Sequence, residues 1–183
     1  PRPGPEKPTT VGETITMAPI VVKDLVIVGS SGGEMGVRGF VAALDLATGA
    51  ARWRGYNLGP DVDVKITPRF QPFYAQDRGT DLGATSWPGD AWKIGGGAAW
   101  GWISYDPALN LTFWGTGNPG PDWNGDPRPG DNLYTDSVIA LDADTGRLKW
   151  HYQFTPHDEF DYDATQVPVL VDVTWQGSPR KLM

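Results

Sequence analysis

Four carboxylates fall within six residues in the run His157-Asp158-Glu159-Phe160-Asp161-Tyr162-Asp163. Solvated acidic loops ordinarily mix acids with Lys, Ser and Gly, but these acids sit beside Phe160, Tyr162 and Trp150. Carboxylates held near aromatic rings shift their pKa values or bind a metal. Upstream, Glu34 follows Ser31-Gly32-Gly33, and Asn118 lies between Gly117 and Pro119. Each alone reads as a turn residue. Together, one Glu, one Asn and the pair Asp161 and Asp163 form an oxygen-only donor set, which suits Ca2+ or a more highly charged analogue and not Zn2+. On an extended strand Asp161 and Asp163 would point to one side and reach one ion. Adjacent carboxylates repel unless a strongly charged cation lies between them, which argues for a charge above two. Small residues before Glu34 let a flat ligand or a metal approach the backbone closely. Trp100, in Trp100-Gly101-Trp102 after Gly95-Gly96-Gly97, is either a stacking floor or a packing ring. His157 reads as a structural hydrogen-bonder rather than a base.

The elements that must hold these groups are strands. The 183 residues include 24 Gly, 17 Pro and 9 Trp, and long amphipathic helices are hard to find, so the expected class is all-β with short strands and many turns. Ile20 to Gly29 reads as strand, tight turn, strand, and Val37 to Leu44 as a third strand. The tract Ala43-Leu44-Asp45-Leu46-Ala47-Thr48-Gly49-Ala50-Ala51-Arg52-Trp53 returns as Ala140-Leu141-Asp142-Ala143-Asp144-Thr145-Gly146-Arg147-Leu148-Lys149-Trp150. This is a hairpin in which Asp bonds its own turn, Gly supplies positive φ, and Trp docks on a neighbouring unit. Such a unit cannot bury its sheet face alone, so a propeller of repeated blades is expected. A second unit runs through Trp102 to Tyr105, Leu111 to Trp114 and Ser137 to Leu141, and a third begins at Val167 to Val173. That makes about two blades and the start of a third, where a closed propeller needs about four to eight. Residues 1–13 read as a linker or surface loop, and 55–97 as a long inserted loop with a functional or partner-binding role. Both ends of the chain read as cut.

Several chemistries drop out. A net charge of −7, from 15 basic and 22 acidic residues, argues against a nucleic-acid partner. Without cysteine there is no disulfide or thiolate chemistry within the chain. No apolar stretch is long enough to span a membrane. Gly115-Thr116-Gly117-Asn118-Pro119-Gly120 matches a dinucleotide fingerprint in letters, but Pro119, Pro121, Pro127 and Pro129 prevent the helix that would receive the pyrophosphate. Asp122, Asn124 and Asp126 begin like a calcium loop, yet Pro127 stands where Gly is required and Leu133 where the bidentate Glu belongs. Asn110-Leu111-Thr112 is a formal glycosylation sequon of a kind that arises often by chance.

From about Thr16 to Met183 the chain resembles the pyrroloquinoline quinone (PQQ)-dependent alcohol dehydrogenases of the methanol and ethanol type. The resemblance is carried in order by Thr16-x-Ala18-Pro19, Ser31-Gly32-Gly33-Glu34-x-Gly36-x-Arg38-Gly39, Trp100-Gly101-Trp102-x-x-Tyr105-Asp106-Pro107, Gly117-Asn118-Pro119, Arg128-Pro129-Gly130-Asp131-Asn132 and Pro156-His157-Asp158-Glu159-x-Asp161. It implies part of a single eight-bladed propeller domain oxidising a primary alcohol to an aldehyde with PQQ and a metal ion. By position, Glu34, Asn118 and Asp161 correspond to metal ligands, with Asp161 also the catalytic base. Trp100 corresponds to the floor under the quinone, and Thr16, Ser31, Gly32 and Gly33 to its polar and backbone contacts. Asp163, two residues after the base, resembles the extra ligand of the lanthanide-dependent branch, so a lanthanide is expected ahead of Ca2+. The resemblance further implies a cytochrome c acceptor, a periplasmic location and a homodimer of the whole protein. Ala98 departs from the family, standing where a PQQ-contacting Thr is common. The family's vicinal disulfide and an Arg near the reacting carbonyl would lie in other segments. Two rivals stay open: a non-catalytic propeller scaffold, and a PQQ enzyme acting on a sugar or aldehyde.

Overall fold

The structure, a computed structural model, describes residues 12–68, 70, 72, 74, 75 and 78–183. The expected linker lies outside these residues except for Gly12 and Glu13. The strands β1 (Ile20–Val22), β2 (Leu25–Gly29), β3 (Phe40–Asp45) and β4 (Ala51–Tyr56) form one antiparallel sheet in chain order. A second sheet repeats that order with β5 (Ile103–Asp106), β6 (Leu111–Gly115), β7 (Ser137–Asp142) and β8 (Leu148–Gln153). A hairpin of β9 (Val171–Trp175) and β10 (Ser178–Leu182) follows. This is the expected all-β architecture of two blades and the start of a third. Among the described residues no helix is long and apolar enough to cross a membrane.

Alternation along the strands explains the core. In β2, Leu25 and Ile27 face one way and join Val41, Ala43 and Trp53 against Trp114, Ile139, Leu141 and Leu148 of the second sheet. Val28, on the opposite face, packs with Phe40 and Ala42. Burying each large aliphatic side chain contributes about 1.5–3 kcal/mol, so the stack of sheet on sheet is the main stabilising contact. Both blades slip register at the same point of the repeat, between Ala43 and Leu44 and between Ala140 and Leu141.

Some bounds differ from the sequence reading. β3 begins at Phe40, because the Gly39 amide bonds the Gly96 carbonyl at 2.8 Å instead of joining the ladder. β9 begins at Val171, after Pro168, which has no amide to give and whose carbonyl accepts the Ser104 hydroxyl. Gly55 and Tyr56 end β4 rather than opening a loop. The rest of the inserted segment folds into short turns, including α1 (Asp61–Val64) and α2 (Leu82–Thr85). It packs against the parts that carry the polar groups: Asn57 Nδ2 donates to Gly97 O at 2.7 Å, and Trp87 Nε1 to Leu133 O at 2.9 Å.

Candidate metal and cofactor site

The site gathers where two second strands run out of their sheets. Beyond β6, Thr116 is fully buried and its hydroxyl donates to Tyr134 O at 2.7 Å. The Gly117 amide then bonds Ala98 O at 2.8 Å, and Asn118 O receives the Gly97 amide at 3.0 Å. This fixed backbone delivers Asn118, only 3% exposed, with its amide N–H on Asp163 Oδ1 at 2.8 Å. Gly117 is needed for that approach. A Cβ there would stand 2.7 Å from Asp163 Oδ1 and 3.2 Å from Trp100 Nε1. The acid and the aromatic therefore close on one side-chain-free spot, with the Trp100 ring partly open to solvent.

Beyond β2, Ser31 is buried and its amide bonds Thr14 O at 2.9 Å. Its hydroxyl lies 2.5 Å from that of Thr16. A single 3-10 turn, Gly33–Met35, follows between left-handed Gly32 and Gly36 and holds Glu34 at the surface. A Cβ on Gly33 would stand 3.2 Å from Gly96 Cα and 3.6 Å from Ala98 Cβ, so this corner abuts the chain leading to Trp100. Thr16 and Ser31 thus pair by their hydroxyls beside the Gly32–Gly33 corner, and Gly33 adjoins the chain that runs through Ala98 to Trp100. Buried Ala98 contributes no hydroxyl there.

Asp161 and Asp163 do not lie on a strand. Both have positive φ, 60° and 49°, in an irregular segment, so the expected strand geometry is wrong. The cause is Asp158, whose two carboxylate oxygens accept the amides of Phe160 at 3.0 Å and Tyr162 at 2.9 Å and coil the chain around itself. Asp161 is left exposed and Asp163 half-buried. Burial pushes the Asp163 carboxyl up to about 6; the Asn118 amide opposes this, while the charges of Asp161, Glu34 and Asp122 add to it. His157 meets the structural expectation, its Nδ1 lying 3.1 Å from Gly130 O.

Among the described residues no three His, Cys, Asp or Glu side chains stand close enough to hold a metal by themselves. The donor set nevertheless fits a hard, multivalent cation. Its groups are carboxylates and one amide; burial raises Asp163 most, and the like charges that add to the rise are what such an ion would offset.

Two residues that the sequence analysis names without a role at this site help to build it. Asp122 accepts the Asn118 side-chain amide at 2.5 Å, leaving the Asn118 Oδ1 free to serve as ligand. Its carboxyl is raised by burial against that hydrogen bond, with Asp161 and Glu34 adding to the rise. Arg128, fully buried, donates to Pro121 O, Asp122 O, Asn132 Oδ1 and Asp158 O. It ties the Asn118 loop to the Asp161 loop, and burial lowers its own pKa. The signals were the Arg128-Pro129-Gly130-Asp131-Asn132 motif and the rejected calcium-loop pattern at Asp122, and neither says which groups these side chains hold.

Residues 4–183 match the family model described as glucose/ethanol/alcohol dehydrogenase, beta-propeller domain, of the PQQ type. Over 174 residues the chain is 54% identical to methanol dehydrogenase [cytochrome c] subunit 1 of Methylobacterium organophilum, covering 94% of this chain and 28% of that protein. Over 169 residues it is 50% identical to the lanthanide-dependent methanol dehydrogenase of Methylacidiphilum fumariolicum, covering 92% and 28%. It superposes on a europium-containing methanol dehydrogenase with a TM-score of 0.88 at 48% identity, covering 92% of this chain and 29% of that one. The chain thus spans well under a third of the length of these relatives.

Proposed function

Because the chain belongs to the PQQ-type glucose/ethanol/alcohol dehydrogenase β-propeller family, we propose that it supplies the cation-binding part of a site that oxidises a primary alcohol to an aldehyde. PQQ, when bound, supplies the two-electron acceptor, and the cation supplies Lewis acidity. Glu34, Asn118, Asp161 and Asp163 would hold the cation. Trp100 would floor the quinone, with Thr16, Ser31, Gly32 and Gly33 around it. Asp161, exposed to solvent, accepts the hydroxyl proton of the alcohol. Electrons leave to a cytochrome c type protein, and the setting is periplasmic.

The observation that carries this reading is the convergence of Asp163, Asn118 and Trp100 on Gly117. Scaffolding a propeller requires no acid there. The crowding of Asp163 with Asp161, Glu34 and Asp122 supports a lanthanide ahead of Ca2+, since a trivalent ion offsets more of the repulsion. The test uses the full-length protein containing this segment, prepared free of metal and PQQ and then supplied with PQQ and either La3+ or Ca2+, with dye-linked oxidation of methanol and ethanol as the readout. Activity with La3+ alone is expected. Activity with Ca2+ alone discards the lanthanide preference, and failure of both ions to support PQQ binding or turnover discards the enzyme reading. Asp161→Asn should abolish turnover while PQQ stays bound, and surviving turnover removes Asp161 as the base.

A further inference from the structure

Asp136 is the most anomalous acid among the described residues. It sits at the turn into β7, 1% exposed, and neither carboxylate oxygen meets a hydrogen-bond donor. Arg128 lies near enough to attract it, but the guanidinium spends its N–H groups on Pro121, Asp122, Asn132 and Asp158. A buried carboxylate with no donor is costly, so such a group survives by carrying a proton or by holding something. Burial, and then the charges of Asp158 and Asp163, push the Asp136 carboxyl up to about 8. At neutral pH it is therefore a carboxylic acid, which has one O–H to donate.

The acceptor beside it is Asp158. Two ionised carboxylates have no donor between them; with one proton they become a hydrogen-bonded pair. Asp158 is itself 1% exposed, and its oxygens already take the amides of Phe160 and Tyr162, the residues on either side of Asp161. Left-handed backbone at Asp161 and Asp163 is unfavourable for residues with a side chain, so this turn must be held from outside. Asp136 also reaches the other ligand-bearing segment, its amide bonding Gly117 O at 3.1 Å, next to Asn118.

We propose that Asp136 is a positioning residue: its buried carboxyl hydrogen-bonds Asp158 and so fixes the turn that presents Asp161 and Asp163 beside Asn118. The kinetic consequence rests on the alcohol-oxidising reading of the site; the ion-binding consequence needs only the cation site. The decisive pair is Asp136→Asn, which keeps a neutral donor of the same shape, and Asp136→Leu, which keeps bulk alone. Both are compared with the wild-type holoenzyme by Eu3+ luminescence titration and by ethanol turnover with PQQ.

Asp136→Asn should stay within about twofold of wild type in both readouts, whereas Asp136→Leu should lose about 10- to 100-fold in Eu3+ affinity and kcat with little change in KM. A Leu variant equal to wild type overturns the proposal. So does an Asn variant as damaged as the Leu variant, because charge rather than a donor would then be at work. If Asp136→Leu does not fold, infrared spectroscopy decides: wild type at pH 7 should show a protonated-carboxyl C=O band missing from Asp136→Asn, and no such difference overturns the proposal. Wild type that binds Eu3+ yet oxidises no alcohol removes the enzyme reading while the Eu3+ titrations still judge Asp136. Wild type that binds no Eu3+ removes both.

Discussion

Trp53 and Trp150 end the same eleven-residue tract in two successive blades, and their surroundings differ. Trp53 is 7% exposed, donates its Nε1–H to Ala143 O at 3.1 Å and lies against Gly146 of the next blade. Trp150 is half-exposed, tilted against Phe113 with ring centres 5.9 Å apart, at the edge of a cleft of about 620 Å3 shared with Leu170 and Leu182. The turns before them are alike. Asp45 Oδ1 takes the amide and hydroxyl of Thr48 at 2.9 and 2.8 Å, and Asp142 Oδ1 those of Thr145 at 3.0 and 2.8 Å. The repeat therefore has a part that closes on itself and a part that needs a neighbour. The Asp-x-x-Thr-Gly turn is local chemistry; the Trp is an inter-blade contact.

The sharpest test is truncation of each Trp. Trp53→Ala should cost about 3–5 kcal/mol, the range for emptying a packed aromatic site. Trp150→Ala should cost clearly less, since its ring keeps part of its contact with water. Equal losses, read from denaturant midpoints, would mean that Trp150 is docked as Trp53 is and would break the contrast.

The turn glycines give a smaller and more specific effect. Gly146 (φ 68°) and Gly49 (φ 70°) share a left-handed conformation, but a Cβ on Gly146 would stand 2.4 Å from Trp53 Cε3, while Gly49 has nothing within 4 Å. Both Ala variants carry the left-handed strain of about 1–2 kcal/mol, and Gly146→Ala adds an overpacking cost of about 1–3 kcal/mol. Thermal midpoints should rank the variants accordingly. Convergence of the two would report a further Trp lying on Gly49. Asp45→Ala and Asp142→Ala, by contrast, should lower the thermal midpoint by similar small amounts, because each removes the acceptor of its Thr amide and hydroxyl and the extra Arg52 partner of Asp45 is solvent-exposed. A large difference there would show that the turn, too, depends on its neighbour.

The same division explains what could be read in the sequence. The hairpins, the repeat and the blade architecture follow from local periodicity and turn chemistry, and the strands lie within a few residues of where the pattern puts them. Glu34, Asn118, Asp161 and Asp163 were legible as donors by type. Their geometry was not. The two-residue spacing would put Asp161 and Asp163 on one side of an extended strand, but Asp158 captured the local amides and both residues are left-handed. The contacts of Asp122 with Asn118 and of Arg128 with Pro121, Asp122, Asn132 and Asp158, and the burial of Asp136, depend on how the loops fold, and no spacing rule reports them.

The two strand exits provide the last contrast, and the smallest effect. The exit of β2 leaves Glu34 at the surface, whereas the exit of β6 buries Asn118 against an acid whose carboxyl is raised from 3.8 to about 6. A raised carboxyl binds its proton more tightly in the folded protein, so its contribution to stability is present below the ordinary value and is lost as pH rises to about 6. The thermal midpoint of metal-free protein should therefore fall across that window. Asp136, raised to about 8, adds its own fall over a wider range, so the difference between wild type and Asp163→Asn isolates Asp163. With La3+ present the sign should reverse, because the ion needs the ionised carboxylate and stabilises the fold more as pH rises through the same window. If the wild-type and Asp163→Asn profiles run parallel with and without La3+, Asp163 is neither crowded nor a ligand, and the two strand exits are electrostatically alike.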